Sequence, residues 1–499
     1  MKTCKDAVLI FFVFLLGIVI TACGRDDTQY QLEVKHPETL EDVLSIALTR
    51  REGITRPNHY RLAQLTEGRV PLAIEPIFFH IPRRTPVNDV STADAIRDTD
   101  ILFYALAGAY GPYIYFGGDE VFLPIRDDII EALNAQPSWT RQDFALLLHA
   151  KLSQAINDRH FFIDGLLVAA NYEFFTINRQ FYLTENGFIC QDNHLLVKEI
   201  LLPCHPSINL DPFDIFRLSM DESGSSFFYV PVIAVHIRSD ETEPSQLVIV
   251  YEDGMSETVP LITPETYFFE RGGHWDDTYS TLDFMHNIPV VAVRRMGPPG
   301  RDGTIQFLSY AELLRGEPAV ILDLRGNMGG YIRAVEEWFY TLTGQLIPTN
   351  FEILKLRSLE PFFSRLTTAV IDPYDDGRYM PFDDKHLIVQ LSPERIVPSN
   401  QLIIVLVDRF TSSAAERMVD LTFNMENAIV IGHNTHGGTL TTVYEIYLLN
   451  SGIRISLGLT LTVSPGHFKE SVGVAPDIWV TDCALTAALG MLENHFHHE

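Results

Sequence analysis

Three short apolar runs, Ala319 to Leu322, Leu402 to Val407 and Ala428 to Ile431, constrain the fold most. Each reads as a buried β-strand that ends abruptly in small or polar residues. After the first, Ile332, Val335, Phe339 and Leu342 recur at helical spacing and stop at Gly344, the residue that best ends a helix. After the second, a turn leads into a helix starting near Ser413, and the third ends at Gly432. Strand, turn and helix in alternation predict a parallel α/β sheet, whose functional groups gather at the carboxyl ends of the strands.

The rest of the 499-residue chain reads differently. Ser91-Thr92-Ala93-Asp94 reads as a capping box for a helix carrying Ile96, Leu102, Phe103 and Leu106. Thr140-Arg141-Gln142-Asp143 opens a second, with Phe144, Leu147, Leu148, Leu152, Ala155 and Ile156 on one side, running up to Asn157-Asp158-Arg159-His160. From Phe161 to Val293 the pattern changes to short β-like runs, among them Ser225 to Ile237, Leu247 to Tyr251 and Pro289 to Val293. The expected organisation is therefore an N-terminal helical region over 38–160, a β-rich middle over 161–290, a core over 291–490 and a tail over 491–499.

A formal charge of -28, with no run of Lys and Arg, argues against a surface that neutralises phosphates, so no nucleic-acid partner is expected. Five cysteines are too few for a disulfide scaffold. At the N-terminus, Lys2 and Lys5 precede 14 apolar residues, Ala7 to Ile20, which are short for a membrane span and suited to a secretory signal. The run ends in Thr21-Ala22-Cys23, and small residues before such a Cys resemble the bacterial lipoprotein signal, which implies lipidation at Cys23 after removal of 1–22. An uncleaved anchor helix is the alternative. Residues 23–37 then form a polar tether, and the body is expected outside the cytoplasm, held to the membrane by lipid. That context would permit a disulfide between Cys190 and Cys204, while Cys483, in an Ala-rich apolar stretch, reads as a buried structural thiol.

The chemistry sits after the three strands. Asp323-Leu324-Arg325-Gly326-Asn327-Met328-Gly329-Gly330 offers paired glycines whose N–H groups a ligand could approach closely. Thr411-Ser412-Ser413-Ala414-Ala415-Glu416 puts small hydroxyl residues at a helix N-terminus, where the dipole favours a developing oxyanion. Gly432-His433-Asn434-Thr435-His436-Gly437-Gly438 is a flexible loop after the third strand. In this order and spacing, over about residues 290–480, the segments resemble the tail-specific (carboxyl-terminal processing) and tricorn-core family of serine peptidases. The resemblance implies a crotonase-like α/β core with Ser413 as nucleophile. It also implies Ala414 and either Gly329 or Gly330 as oxyanion donors, with Arg325 and Asn327 holding the glycine turn.

One departure is informative. In the processing-protease branch the base is a Lys 25 residues after the nucleophile, and here that residue is Gly438. Lys469 is the only Lys after Ser413. The tricorn-like branch uses a His at the end of an upstream helix and a Glu shortly before a G-V-x-P-D segment. His160, in Asp158-Arg159-His160, resembles the first, and Glu470, 57 residues after Ser413, the second. A neutral His can take the serine proton at neutral pH, and a carboxylate can support the imidazolium that forms.

The expectation is thus an exported, lipid-anchored serine peptidase acting on peptide or protein substrates, using Ser413, His160 and Glu470 and no cofactor. The alternative is a catalytically inactive peptide-binding or scaffold lipoprotein of the same fold. His433 and His436 lack the sequence context of a metal site, and the terminal His495-Phe496-His497-His498 reads as a mobile tail. No phosphate loop, dinucleotide fingerprint or G-x-S-x-G elbow occurs, and no carboxylate-binding loop of the PDZ type is found in 161–290.

Overall fold

The computed structural model describes residues 36–52, 86–204, 209–236, 243–264, 279–298, 300–349, 352–355, 396–441, 443–458, 460–463 and 466–498. The expected signal, the lipidation site Cys23 and nearly all of the tether lie outside these residues. Among the described residues no helix is long and apolar enough to cross a membrane.

Among the described residues, four helices precede the β-rich middle: α1 (Leu40–Glu52), α2 (Thr92–Ala109), α3 (Asp119–Leu133) and α4 (Arg141–Leu152). The caps read from sequence are present, with the Ser91 hydroxyl accepting from Asp94 N–H and the Thr140 hydroxyl from Asp143 N–H. α4 stops at Leu152, five residues short of Asn157, and leads through a turn to His160. The chain then forms strand Phe162–Ile163, which pairs with Arg454–Gly458 from the far end of the sequence. That pairing pins the segment around His160 onto the core. Ile163, Ile453, Ile455 and Leu457 share one apolar cluster with Leu102, Phe122, Phe144 and Leu148 of α2, α3 and α4.

The core is a six-stranded sheet in chain order: β1 (Ser280–Met285), β2 (Ile288–Val293), β3 (Ala319–Asp323), β4 (Leu402–Val407), β5 (Ala428–Gly432) and β6 (Ile478–Trp479). β1 and β2 form a hairpin through His286 and Asn287, both at positive φ as a two-residue turn demands. All other neighbours are parallel. β3, β4 and β5 are buried at every position, because a parallel sheet is covered on both faces. Alternate residues point to opposite sides. Val320, Leu322, Ile403, Val405 and Val430 meet α5 (Asp302–Leu313), α6 (Ile332–Thr343) and α7 (Ala414–Thr422), with Trp338 stacked on Phe307 between the first two. Ile321, Ile404, Leu406, Ile429 and Ile431 instead share a cluster with Phe175, Phe216, Leu247 and Ile249 of the β-rich middle and with Ala487 and Met491 of α8 (Ala484–His498).

Several expectations change. The stretch 491–499 is not a tail, since α8 runs to His498 and His495 Nδ1 lies 3.3 Å from Glu41 of α1. Cys190, buried, and Cys204, exposed, are free thiols. Cys483 is half-buried rather than buried, with its sulfur 3.7 Å from Arg325 Nη1, and that cation helps lower its pKa. α3, α5 and α8 carry no cap signal in the sequence comparable to those of α2 and α4.

α1 is fastened to the core by a buried ion pair. Arg51 Nη2 donates to Asp477 Oδ2 at 2.6 Å and Nη1 to Met425 O at 3.2 Å, and Asp477 also accepts from Val430 N–H. Removing one partner strands the other in apolar surroundings. Asp477→Ala is therefore expected to cost about 3–5 kcal/mol, measured as a fall in the urea midpoint. A change under about 1 kcal/mol would show that the pair is not sealed from water.

Candidate active site

The three predicted loops meet at the carboxyl ends of β3, β4 and β5. At the end of β3, Asp323 is clasped by Arg294 (2.7 Å) and Arg325 (2.9 Å), and these cations hold its carboxyl well below the usual range despite burial. Arg325 thereby anchors the start of the glycine turn, as expected. Asn327 shapes the rest, donating from Nδ2 to Val293 O (3.0 Å) and accepting Gly329 N–H on Oδ1 (2.8 Å), while its carbonyl accepts Ser412 N–H (2.9 Å). The two glycines are thereby distinguished. The Gly329 N–H is occupied, whereas neither Gly330 nor Ala414 finds an acceptor for its N–H among the described residues. Both glycines are obligatory. At φ 92° a Cβ on Gly329 would come within 2.8 Å of Ser413 Cβ, and at φ 138° one on Gly330 would lie 1.8 Å from Met296 O.

Ser413 caps α7 with φ 54° and ψ -116°, a conformation that costs a non-glycine residue about 1–3 kcal/mol. Surrounding bonds hold it there. Its N–H donates to Glu416 Oε2 at 2.9 Å. Glu416 is fully buried and accepts three more bonds, from Thr435 Oγ1 (2.6 Å), Gly437 N–H (2.6 Å) and Gly438 N–H (2.9 Å). Burial pushes this carboxyl up and the four donors pull it down. One carboxylate thus locks the serine turn to the loop after β5.

Position 438 is where the upstream segment arrives. A Cβ on Gly438 would lie 3.0 Å from Ser412 Oγ and 3.3 Å from Arg159 Cβ, so the side facing the serine turn is occupied by Arg159. The Arg159 guanidinium donates from Nε to His436 Nε2 (2.9 Å) and from Nη1 to Ala170 O (3.3 Å). His436 Nδ1 is 3.0 Å from Arg409 O, which assigns its proton to Nδ1. Neither His436 nor His433, which packs against Trp479, is a member of a metal-type cluster among the described residues.

His160, next to Arg159, is 8% exposed. Asp158 Oδ1 accepts its backbone N–H at 2.8 Å, and its Nδ1, without a hydrogen-bond partner, faces the same oxygen at 4.0 Å. Burial, reinforced by Arg159, lowers the imidazole pKa to about 4, so the ring is neutral at pH 7. Glu470 accepts Arg159 N–H (2.9 Å) on Oε1, and Thr439 N–H (3.1 Å) and Leu440 N–H (3.0 Å) on Oε2. One donor atom each of Asp158, His160 and Glu470 lies within 4.8 Å of the others. The predicted base and acid are therefore neighbours without being hydrogen-bonded, and His160 makes no hydrogen bond to the Ser413 hydroxyl. Desolvation raises both carboxyls, Asp158 to about 6.

Some of the surroundings were not singled out from sequence. Asp158 lies in the D-x-H segment and Glu416 in the serine motif, so both were in view without roles. Tyr110, whose hydroxyl donates to Asp158 Oδ2 at 2.8 Å, had no signal, because 48 residues separate the pair.

A strained serine at a helix N-terminus, flanked by a paired-glycine turn on a parallel α/β sheet, is the layout of a serine-type peptidase core. Residues 287–480 match the model of peptidase family S41. Solved structures similar to this chain include mature CPAF, with 14% identity over 81% of this chain and 96% of that one at a TM-score of 0.41. The photosystem II D1 C-terminal processing protease matches with 12% identity over 80% and 97% at 0.36. The tricorn protease matches with 13% identity over 81% of this chain and 37% of that one, also at 0.36. A peptidase of this family acts on peptide or protein substrates.

Two substitutions test the framework. Gly330→Ala forces the turn away from Met296 and is expected to lower kcat by about 10²–10³-fold, the usual loss for one oxyanion donor. Glu416→Ala leaves four buried donors without their acceptor and should destabilise by about 3 kcal/mol or more, seen in chemical denaturation. Wild-type stability in that variant would mean the clamp is dispensable.

Proposed function

We propose that this protein is an exported, lipid-anchored serine peptidase in which Ser413 is the nucleophile, His160 the base and Glu470, with Asp158, the supporting acid. The observation that carries this reading is the seating of Arg159 against Gly438, beside the serine turn, with His160 next to it in the chain and two carboxylates around the His160 imidazole. Position 438 offers no amine. The segment packed there carries a neutral imidazole on its next residue, His160.

The steps follow from these groups. Ser413 Oγ attacks the peptide carbonyl as its proton passes to His160 Nε2, and the carbonyl oxygen, now negative, is held by the N–H groups of Gly330 and Ala414. Asp158 and Glu470 stabilise the imidazolium by proximity rather than by a direct bond. Two buried carboxylates so close share their charge, so one of them favours the protonated form. His160 then returns the proton to the leaving amine, and water releases the acyl group by the same route. Substrate binding shortens the gap between Ser413 and His160, as hydrogen bonds in free enzymes often tighten in complexes. Anchoring rests on Cys23 and the apolar run before it, and metabolic labelling with a fatty acid should be lost in Cys23→Ala.

Two measurements test the mechanism. Labelling by a fluorophosphonate probe should disappear in Ser413→Ala, and kcat/KM should fall at least about 10³-fold in His160→Ala but hold in Lys469→Ala. The reverse ranking would replace His160 by Lys469 as base. The pH profile gives a second check. The base form of His160 persists below its ordinary pKa of about 6.5, so kcat/KM should fall in two stages, a shallow one near pH 6 as Asp158 takes up its proton and a steep one toward pH 4 as the imidazole does. A complete loss of activity in one step near 6.5, with nothing left to fall toward pH 4, would show that His160 is not desolvated in the working enzyme.

A further inference from the structure

Three donor groups converge behind the imidazole. His160 Nδ1 is buried, has no hydrogen-bond partner, and points toward Asp158 Oδ1 at 4.0 Å. Asp158 uses one lone pair of each oxygen, for His160 N–H and the Tyr110 hydroxyl, and Glu470 Oε1 uses one, for Arg159 N–H. Each carboxylate therefore keeps an oxygen lone pair, and the imidazole keeps one on Nδ1 in the tautomer that carries its proton on Nε2.

We propose that Asp158, His160 and Glu470 form a binding site for a divalent transition cation, best suited to zinc, and that occupancy of this site switches off the peptidase.

One imidazole nitrogen and two carboxylate oxygens form a three-ligand set of the kind that zinc accepts with a fourth position open. The imidazole selects against calcium and magnesium, which take oxygen ligands. Ligands about 2.0–2.2 Å from a tetrahedral zinc stand roughly 3.4 Å apart, so closing separations of up to 4.8 Å asks each side chain to move by under about 1 Å. The charge balances as well. A dication between two carboxylates relieves the repulsion that burial imposes on them. The backbone N–H groups of Arg159, His160, Thr439 and Leu440 and the Tyr110 hydroxyl orient the carboxylates from outside, as supporting groups do around metal ligands.

Inhibition follows from the tautomer. As a base, His160 needs a free lone pair on Nε2 and its proton on Nδ1. A cation bound at Nδ1 holds the ring in the tautomer whose single proton sits on Nε2, the Nδ1 proton leaving to solvent and Nε2 taking one up, so the neutral ring has no lone pair left to take the proton of Ser413. The metal is a reversible stop acting from behind the base, without touching the serine.

The inhibitory half rests on the peptidase reading and the binding half does not, so the two are measured apart. Zinc is titrated into the full chain against a chromophoric zinc indicator. The expected result is one tight site per chain, kept in Ser413→Ala and in a variant with His495, His497 and His498 replaced by Ala. Affinity should fall about 10- to 100-fold or more in Asp158→Asn and in Glu470→Gln, each checked by circular dichroism so that at least one folded variant is compared. Tight binding that survives in a folded Asp158→Asn or Glu470→Gln protein, or that vanishes with the C-terminal histidines, overturns the site, as does no binding at micromolar zinc. In wild type, fluorophosphonate labelling should fall with zinc occupancy and return on chelation. Unchanged labelling at full occupancy overturns the switch while leaving the site. Failure of the wild type to label without zinc speaks against the peptidase reading alone.

Discussion

Much of the site depends on the carboxylate of Glu416. It is buried, and the expected cost of that burial is offset by four donors drawn from two separate stretches of chain. Through them it fixes the start of α7, the unusual backbone of Ser413 and the path of the loop after β5. A second layer repeats the device. Asp323 holds the arginines at the end of β3, and Asn327 passes that order to Ser412 through its own carbonyl. The serine is thus strained by a frame that is itself satisfied, which is how a costly backbone conformation persists.

Burial also sets the chemistry around His160. Removed from water, the imidazole is neutral and the two carboxylates beside it resist ionisation, so small changes in local charge have large effects there. The proposed proton transfer to the ring and the proposed cation binding behind it would draw on the same three side chains. As proposed, the two would exclude each other, because both need the lone pairs and the proton of one imidazole.

Much of the core was legible because its signals are local. β3, β4 and β5 are continuous apolar runs since both sheet faces are covered, and the capping residues of α2 and α4 lie three positions from their targets. The glycine turn, Ser413 and its loop could be found because each follows directly from a strand. What escaped were features made by distant partners. The end of α8, from residue 491, looked like a tail, since its contacts lie on α1 and the β-rich middle, and Cys190 and Cys204 looked capable of bonding only because spacing says nothing of separation in space. The boundary near residue 160 was real as a change of pattern, yet Phe162–Ile163 crosses it to pair with Arg454–Gly458.

The sequence by itself determined the alternation of strand and helix, the serine motif and the lack of a lysine at position 438, because these depend on neighbours in the chain. Only the tertiary structure decided that the glycine N–H left open is that of Gly330, since Asn327 takes the other, and that Asp158 joins His160 and Glu470. Those outcomes depend on which lone pairs and N–H groups are already used when segments hundreds of residues apart are packed together, and a linear pattern does not carry that count.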